Sequence, residues 1–280
     1  MMNARTKAAL LALVAPLMAI AEEPISEISV DMALDEVELV VGERIRAVID
    51  VKNMSPDVVT VDGNETADTM IVEVFKASTK EQLDRTRAAP FVSPFRIRKN
   101  EGQLLEVILN NHYFLREPRR YLARPVLVHN GIRYEGQYRA FDVVPGMKIS
   151  RALQMFANKK GLNREFELLQ WTRRGREHLF LAANDEGASS RKWQTTDLGG
   201  MVKRTPPTIS IMPTGEIIVI HRADNDYFLR SEFWSLPNAL EFRGNELIRD
   251  PETAGQSSVQ EMYRKAGGVK AAPRPWWKFW

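Results

Sequence analysis

Cysteine is absent from all 280 residues, which excludes a disulfide scaffold and any thiolate metal site. Histidine is nearly as scarce. His112, His129, His178 and His221 stand far apart, with no HExxH pair to hold a zinc ion. No GxSxG elbow offers a nucleophilic serine, and no glycine-rich loop of dinucleotide or P-loop type is present. Long hydrophobic runs are missing too. The longest, Ala8 to Ile20, falls well short of the roughly 20 apolar residues a membrane-spanning helix needs and contains Pro16. These absences leave no motif-level case for catalysis, although a site assembled from distant carboxylates stays open.

What stands at the start has another pattern. Arg5 and Lys7 give a short positive region, Ala8 to Ile20 an apolar stretch, and Ala19-Ile20-Ala21 a small-x-small cleavage pattern before Glu22-Glu23-Pro24. Residues 1–21 are therefore expected to be a cleaved secretory signal. With no lipobox cysteine, a lipoprotein is excluded. An exported chain without cysteine suits a bacterial envelope, in the periplasm or at the cell surface, better than an animal extracellular space.

The formal charge of +3 is unevenly spread. Arg5 and Lys7 leave +1 for residues 22–280. Residues 255–280 hold +4 of their own, so residues 22–254 carry −3. Basic character is concentrated in the tail, and nothing in the pattern supports nucleic-acid binding.

From Ile25 onward the pattern is β. Ile28, Val30 and Met32 begin a strand, and Val37, Leu39 and Val41 precede Gly42-Glu43. Ile45, Ala47, Ile49 and Val51 alternate with Arg44, Arg46, Val48 and Asp50, the signature of a half-buried strand. Met70 to Phe75 and Leu104 to Leu109 add two more. The stretch Arg119 to Val144 reads as a hairpin, with apolar runs on either side of His129-Asn130-Gly131. That gives about seven strands in some 120 residues, the count and spacing of an antiparallel sandwich.

The run GERIRAVIDVKNMSP resembles the second strand of bacterial immunoglobulin-like and fibronectin-III-like domains, in which a "v.v.v.N.s" strand precedes a turn. Arg120-Tyr121-Leu122-Ala123 resembles the tyrosine corner of their sixth strand, whose hydroxyl bonds back to nearby backbone. The resemblance covers roughly residues 24–145. It implies a binding or spacer module, and it departs from antibody domains in lacking the cysteine pair and a core tryptophan before Trp171.

After Pro145-Gly146, Met147 to Met155 alternates as a strand, with helical spacing as the competing pattern. Two units then resemble one another. Glu177 to Leu181, an Asn184-Asp185-Glu186-Gly187 turn and Trp193 form the first; Glu216 to Ile220, an Asp224-Asn225-Asp226 turn and Trp234 form the second. Strand repeats at this spacing suggest propeller blades, and two are too few to close a propeller. The expected architecture is all-β: a signal at 1–21, an immunoglobulin-like sandwich at 22–146, a second antiparallel β-meander domain with partial-propeller character at 147–250, and a tail at 251–280.

Four sets of residues are candidates for function. Arg274, Trp276, Trp277, Lys278, Phe279 and Trp280 crowd aromatic rings and cations into the last residues, a composition suited to a partner groove or a membrane surface. Arg116, Arg119 and Arg120 form a possible anion-binding patch, with further basic residues at Arg96, Arg98, Lys99, Arg124, Arg173, Arg174 and Arg176. Asp62, Asn64, Thr66, Asp68 and Glu73 have oxygen-ligand spacing like a Ca2+ loop. Ala67, however, stands where such a loop needs glycine, and strands flank it. Asp185 and Asp224 are candidate acidic groups if the chain is an envelope-polymer or glycan hydrolase. The favoured expectation is a non-catalytic envelope component without a cofactor, engaging an envelope protein or membrane surface.

Overall fold

The computed structural model describes residues 27–62, 68–156, 163–186, 193–237 and 239–250. Among them the fold is all-β, with no α-helix, one 3-10 turn at Leu109–Asn111, and several sheets, none closed into a barrel. Residues 1–21, expected to be a secretory signal, and the aromatic tail lie outside the described residues.

The first half contains β1 (Ile28–Leu34), β2 (Glu38–Val40), β3 (Arg46–Asn53), β4 (Val59–Val61), β5 (Thr69–Lys76), β6 (Phe95–Ile97), β7 (Gly102–Ile108), β8 (Arg119–His129), β9 (Ile132–Glu135) and β10 (Arg139–Val144). One sheet runs β1-β3-β7. A second runs β2-β10-β8-β5, with β9 beside β8, and β4 pairs with β6. All pairings are antiparallel except that of β2 with β10. The alternation in β3 does what its sequence requires: Ala47, Ile49 and Val51 are buried while the residues between them face outward. They share one core with Val30 and Met32 of β1 and with Val72, Val74, Tyr121 and Phe141 of the facing sheet. Each such aliphatic side chain contributes roughly 1.5–3 kcal/mol on burial.

Two details of the sequence resemblance have physical counterparts. The Tyr121 hydroxyl donates to the Glu117 carbonyl at 3.1 Å, and burial pushes its pKa up. Asn53 is fully buried. Its amide donates to the carbonyls of Asp57 (2.7 Å) and Ile97 (3.2 Å), and its oxygen accepts from Ser55 N and Oγ, so Asn-x-Ser staples the end of β3 to β6.

The turn after β8 is the tight one its Asn-Gly requires. Asn130 (φ 52°) and Gly131 (φ 74°) are both left-handed, as a type I′ hairpin demands. Beyond it the single expected strand is broken. Both β9 and β10 lie along the same edge of β8, separated by Gly136-Gln137-Tyr138. The break sits where β8 contains Pro125, which has no N–H to donate. Gly136 N donates to the Pro125 carbonyl at 2.9 Å, so close that a Cβ at 136 would meet Pro125 Cγ at 2.5 Å and the Val30 carbonyl at 2.7 Å. Gly136→Ala is therefore expected to cost about 1–3 kcal/mol, because backbone must shift to admit the methyl group. Thermal melting checks this; an unchanged Tm would mean that β1 and β8 have slack to give.

The second half is two meanders in chain order: β11 (Met147–Met155), β12 (Asn163–Arg173), β13 (Arg176–Glu186) and β14 (Trp193–Gly200), then β15 (Thr208–Ile211), β16 (Glu216–Arg222), β17 (Tyr227–Leu236) and β18 (Ala239–Arg249). Phe166, Leu168, Leu179 and Leu181 from the first sheet form a common core with Ile217, Val219 and Phe233 from the second. The two resembling sequence units take different places in their sheets. The first supplies the third and fourth strands of its meander, the second the second and third. Trp193 opens β14, whereas Trp234 lies near the end of β17.

Candidate functional site

A cluster of buried polar groups lies where the halves meet. Val40 and Val144 from the first half pack with Leu169, Trp171, Phe180 and Ala182 from the second, forming a small separate core. Beside it, Thr195 of β14 binds backbone of the β2–β3 turn, donating through N to the Gly42 carbonyl (3.0 Å) and through Oγ1 to the Val41 carbonyl (2.6 Å). The tight turn Arg174-Gly175, both at positive φ, ends β12 with Arg173 directed into this junction. The Arg173 guanidinium donates to Glu43 and to Asp197 (2.8 Å) and lies over the Phe180 ring. Glu43 also accepts from Val40 N at 2.6 Å. Burial pushes the Glu43 carboxyl up, against the opposing pull of Arg173. Asp197 in turn contacts His178 Nδ1 at 3.0 Å and accepts from Gly199 N at 2.7 Å. At the rim, Arg174 pairs with Glu36.

This Glu43–Arg173–Asp197–His178 chain contains a histidine–carboxylate contact, the raw material of a general base. The carboxylate is shared with Arg173, and the chain runs across the junction rather than into a cleft. Its evident work is to tie one half to the other.

The other buried charges are committed in the same way. Arg164, 4% exposed at its side chain, binds Asp185 (8%) through two parallel contacts. Its remaining nitrogen donates to Ser235 Oγ (2.9 Å) and to the carbonyls of Leu236 (2.9 Å) and Ala239 (3.1 Å). The pair thus clips β12 and β13 to the β17–β18 turn of the facing sheet. Arg222 joins Asp250 and the Asn225 carbonyl, holding the β16–β17 turn to the end of β18. Asp224 caps its own turn, its Oδ1 accepting from Asp226 N (2.8 Å) and Tyr227 N (2.7 Å). Asp185 thus has both oxygens bound, and Asp224 has Oδ1 committed to its own turn.

Of the residues with calcium-loop spacing, Asp62, Asp68 and Glu73 lie among the described residues. Asp62 follows β4, while Asn64 and Thr66 lie outside the described residues. Asp68 accepts from Asn130 N at 2.8 Å and lies 3.3 Å from His129 Nδ1, bracing the hairpin. Glu73 is buried on β5 with both oxygens bound by arginine, Arg124 on one (2.8 Å) and Arg133 on the other (2.6 Å). Glu135 completes this ladder across β5, β8 and β9. Among the described residues no group of three or more metal-ligating side chains is gathered.

Burial alone would push the Glu73 carboxyl up. The hydrogen bonds from Arg133 and Arg124 more than offset that and hold it below the usual carboxylate range. A carboxyl depressed in the fold contributes stability above its unfolded value of about 4.3 and loses it as pH falls through the folded value. Glu73→Gln is expected to lower stability by roughly 1–3 kcal/mol at neutral pH and to flatten the loss of Tm below about pH 4. Melting curves from pH 7 to 3 read both effects; equal acid slopes for the two proteins would contradict the assignment.

Each arginine of the candidate patch has a partner of its own. Arg116 stacks over Phe114, Arg119 pairs with Glu117, and Arg120 lies 3.9 Å from Asp142. Arg274, Trp276, Trp277, Lys278, Phe279 and Trp280 lie outside the described residues. Sequence reasoning missed the junction altogether. Its signal was the coincidence of a Glu after a Gly turn with an Arg before one, which carries no partner information.

No protein-family model matches the chain, and no curated protein matches it. Among solved structures it is similar to the sporulation control protein Spo0M from Bacillus subtilis, at 10% identity and a TM-score of 0.31, over 86% of this chain and 96% of that one. A likeness at that score carries no argument about function.

Proposed function

We propose that this chain is a non-catalytic binding or structural component of the bacterial cell envelope, exported by residues 1–21. Residues 22–146 serve as an immunoglobulin-like module, a reading supported by the Tyr121 corner bond and the Asn53-x-Ser55 staple. Residues 147–250 form the second β unit. Arg274, Trp276, Trp277, Lys278, Phe279 and Trp280 engage an envelope protein or a membrane surface.

One observation carries the non-catalytic reading. In enzymes, ionisable groups with perturbed surroundings gather at a cleft where substrate can reach them. Here Arg164–Asp185, Arg222–Asp250 and Glu43–Arg173–Asp197 each span strands, sheets or halves with their carboxylates paired to a guanidinium. Buried charge of this kind serves to fix architecture. The hydrolase reading rests on the two blade-like units and their acidic turns, and no specific observation favours it.

The test compares the chain from Glu22 to Trp280 with one ending at Lys265. Retention by envelope membranes and by protein-free liposomes of mixed anionic and zwitterionic lipid is measured for each. Retention lost on both surfaces identifies a lipid contact, and retention lost on native membranes alone identifies a protein partner. Truncation that changes neither, while lowering Tm, overturns the role given to the tail.

A further inference from the structure

We propose that two copies of this chain associate through β18, pairing antiparallel so that two four-stranded sheets become one eight-stranded sheet. The argument starts from edges. A strand at the end of a sheet presents a row of unpaired backbone donors and acceptors, and natural folds cover or shorten such strands. Several edges of this molecule are managed in that way. The outer edge of β14 takes the β2–β3 turn, the outer edge of β5 is covered by Gln82 and Leu83, and β15 is only four residues long. By contrast β18 runs for eleven residues, and among the described residues no strand pairs with its outer side.

Its side chains fit a second copy of itself. Phe242 and Leu247 stand opposite Phe233 and Leu229 of β17, so both point to the core side of the sheet. Yet they are 49% and 58% exposed, large apolar groups at an open rim. Arg243 lies over the Trp234 ring on the other side, and Glu246 on that side reaches Arg230. Arg243 is the extra residue of a bulge, so a two-fold axis passing through Asn245, which then faces its own copy, would set Phe242 against Leu247 of the second copy and Arg243 with Gly244 against Glu246 of the second copy. Each pair then occurs twice, as an isologous contact requires. Apolar meets apolar on the inner face, and opposite charges meet on the outer one. Cross-strand pairs of both kinds stabilise antiparallel sheets, whereas like charges directly opposed do the reverse.

The test is the mass in solution of the chain from Glu22 to Trp280, measured by sedimentation equilibrium across a concentration series. A dimer is expected. Arg243→Glu and Glu246→Arg should each raise its dissociation constant on the order of tenfold, by opposing like charges twice. The double variant should recover most of that affinity, because the swapped charges again face opposites. Phe242→Lys with Leu247→Lys should give a monomer with native strand content. Three results would overturn the proposal: a monomeric parent with β18 amides open to hydrogen exchange, a monomeric parent with those amides protected by another segment, or a dimer indifferent to every substitution.

Discussion

Asp185→Ala lowers the stability of the second β unit by about 3–5 kcal/mol, the cost of leaving a buried partner charge uncompensated. The reason lies in Arg164, whose side chain is 4% exposed and cannot swing to water without opening the sheet pair. With the carboxylate gone, Nε and Nη2 lose their acceptors, while Nη1 remains fixed by Ser235, Leu236 and Ala239. Denaturant unfolding followed by tryptophan fluorescence reads the change. Replacing both partners, Arg164→Met with Asp185→Leu, should be markedly milder than Asp185→Ala alone, because no buried charge then remains. Any loss of function in Asp185→Ala should track its loss of fold. A variant that kept full stability yet lost a turnover activity would reassign Asp185 to chemistry.

Arg173→Ala should uncouple the two halves, at a cost of about 3–5 kcal/mol to the interaction that joins them. Arg173 is the only described residue that bonds both Glu43 in the first half and Asp197 in the second. Its loss leaves two carboxylates facing each other beside a small apolar core, with the Glu43 oxygen that bonds Val40 N still buried. The expected signature is a split of one thermal transition into two, with faster proteolysis between Val144 and Met147. Arg174→Ala, which removes only the exposed Glu36 pair, should be worth no more than about 1 kcal/mol. A single unshifted transition in Arg173→Ala would mean that the packing of Val40, Leu169 and Phe180 and the Thr195 hydrogen bonds hold the halves together without it.

Much of the fold is legible in the sequence because period-two alternation is a local signal. The inward Ala47, Ile49 and Val51, the Asn130-Gly131 turn and the strand from Met147 to Met155 are all readable from neighbours a few residues apart. The short strands Val59–Val61 and Phe95–Ile97 are not, because three residues cannot show a period. Nor is the break at Gly136, which depends on Pro125 and Val30 approaching from other strands. The resemblance between the units around Trp193 and Trp234 is real as sequence. It arises because any apolar strand followed by an acidic turn looks alike, whichever position in a meander it fills.

The candidate sites were harder to read, for a physical reason. Spacing along the chain names donors and acceptors but not what reaches them across space. Glu73 has the twelfth place of a calcium loop by count, yet Arg124 and Arg133 arrive from two other strands and take both its oxygens. Asp185 has the look of an exposed acidic turn, yet Arg164 pairs with it from the neighbouring strand. In both cases the decisive partner is an arginine from another strand, and only Arg124 belongs to a basic run that suggests a surface patch.

The measurement that bears most directly on this account is the fraction of intact, folded protein recovered with envelope membranes after export, followed through increasing salt. Most of it is expected to sediment with the membranes, with about 1 M salt weakening the retention without abolishing it and the sedimented protein retaining its native melting transition. Folded protein that stayed wholly in the soluble fraction at low salt would contradict this account.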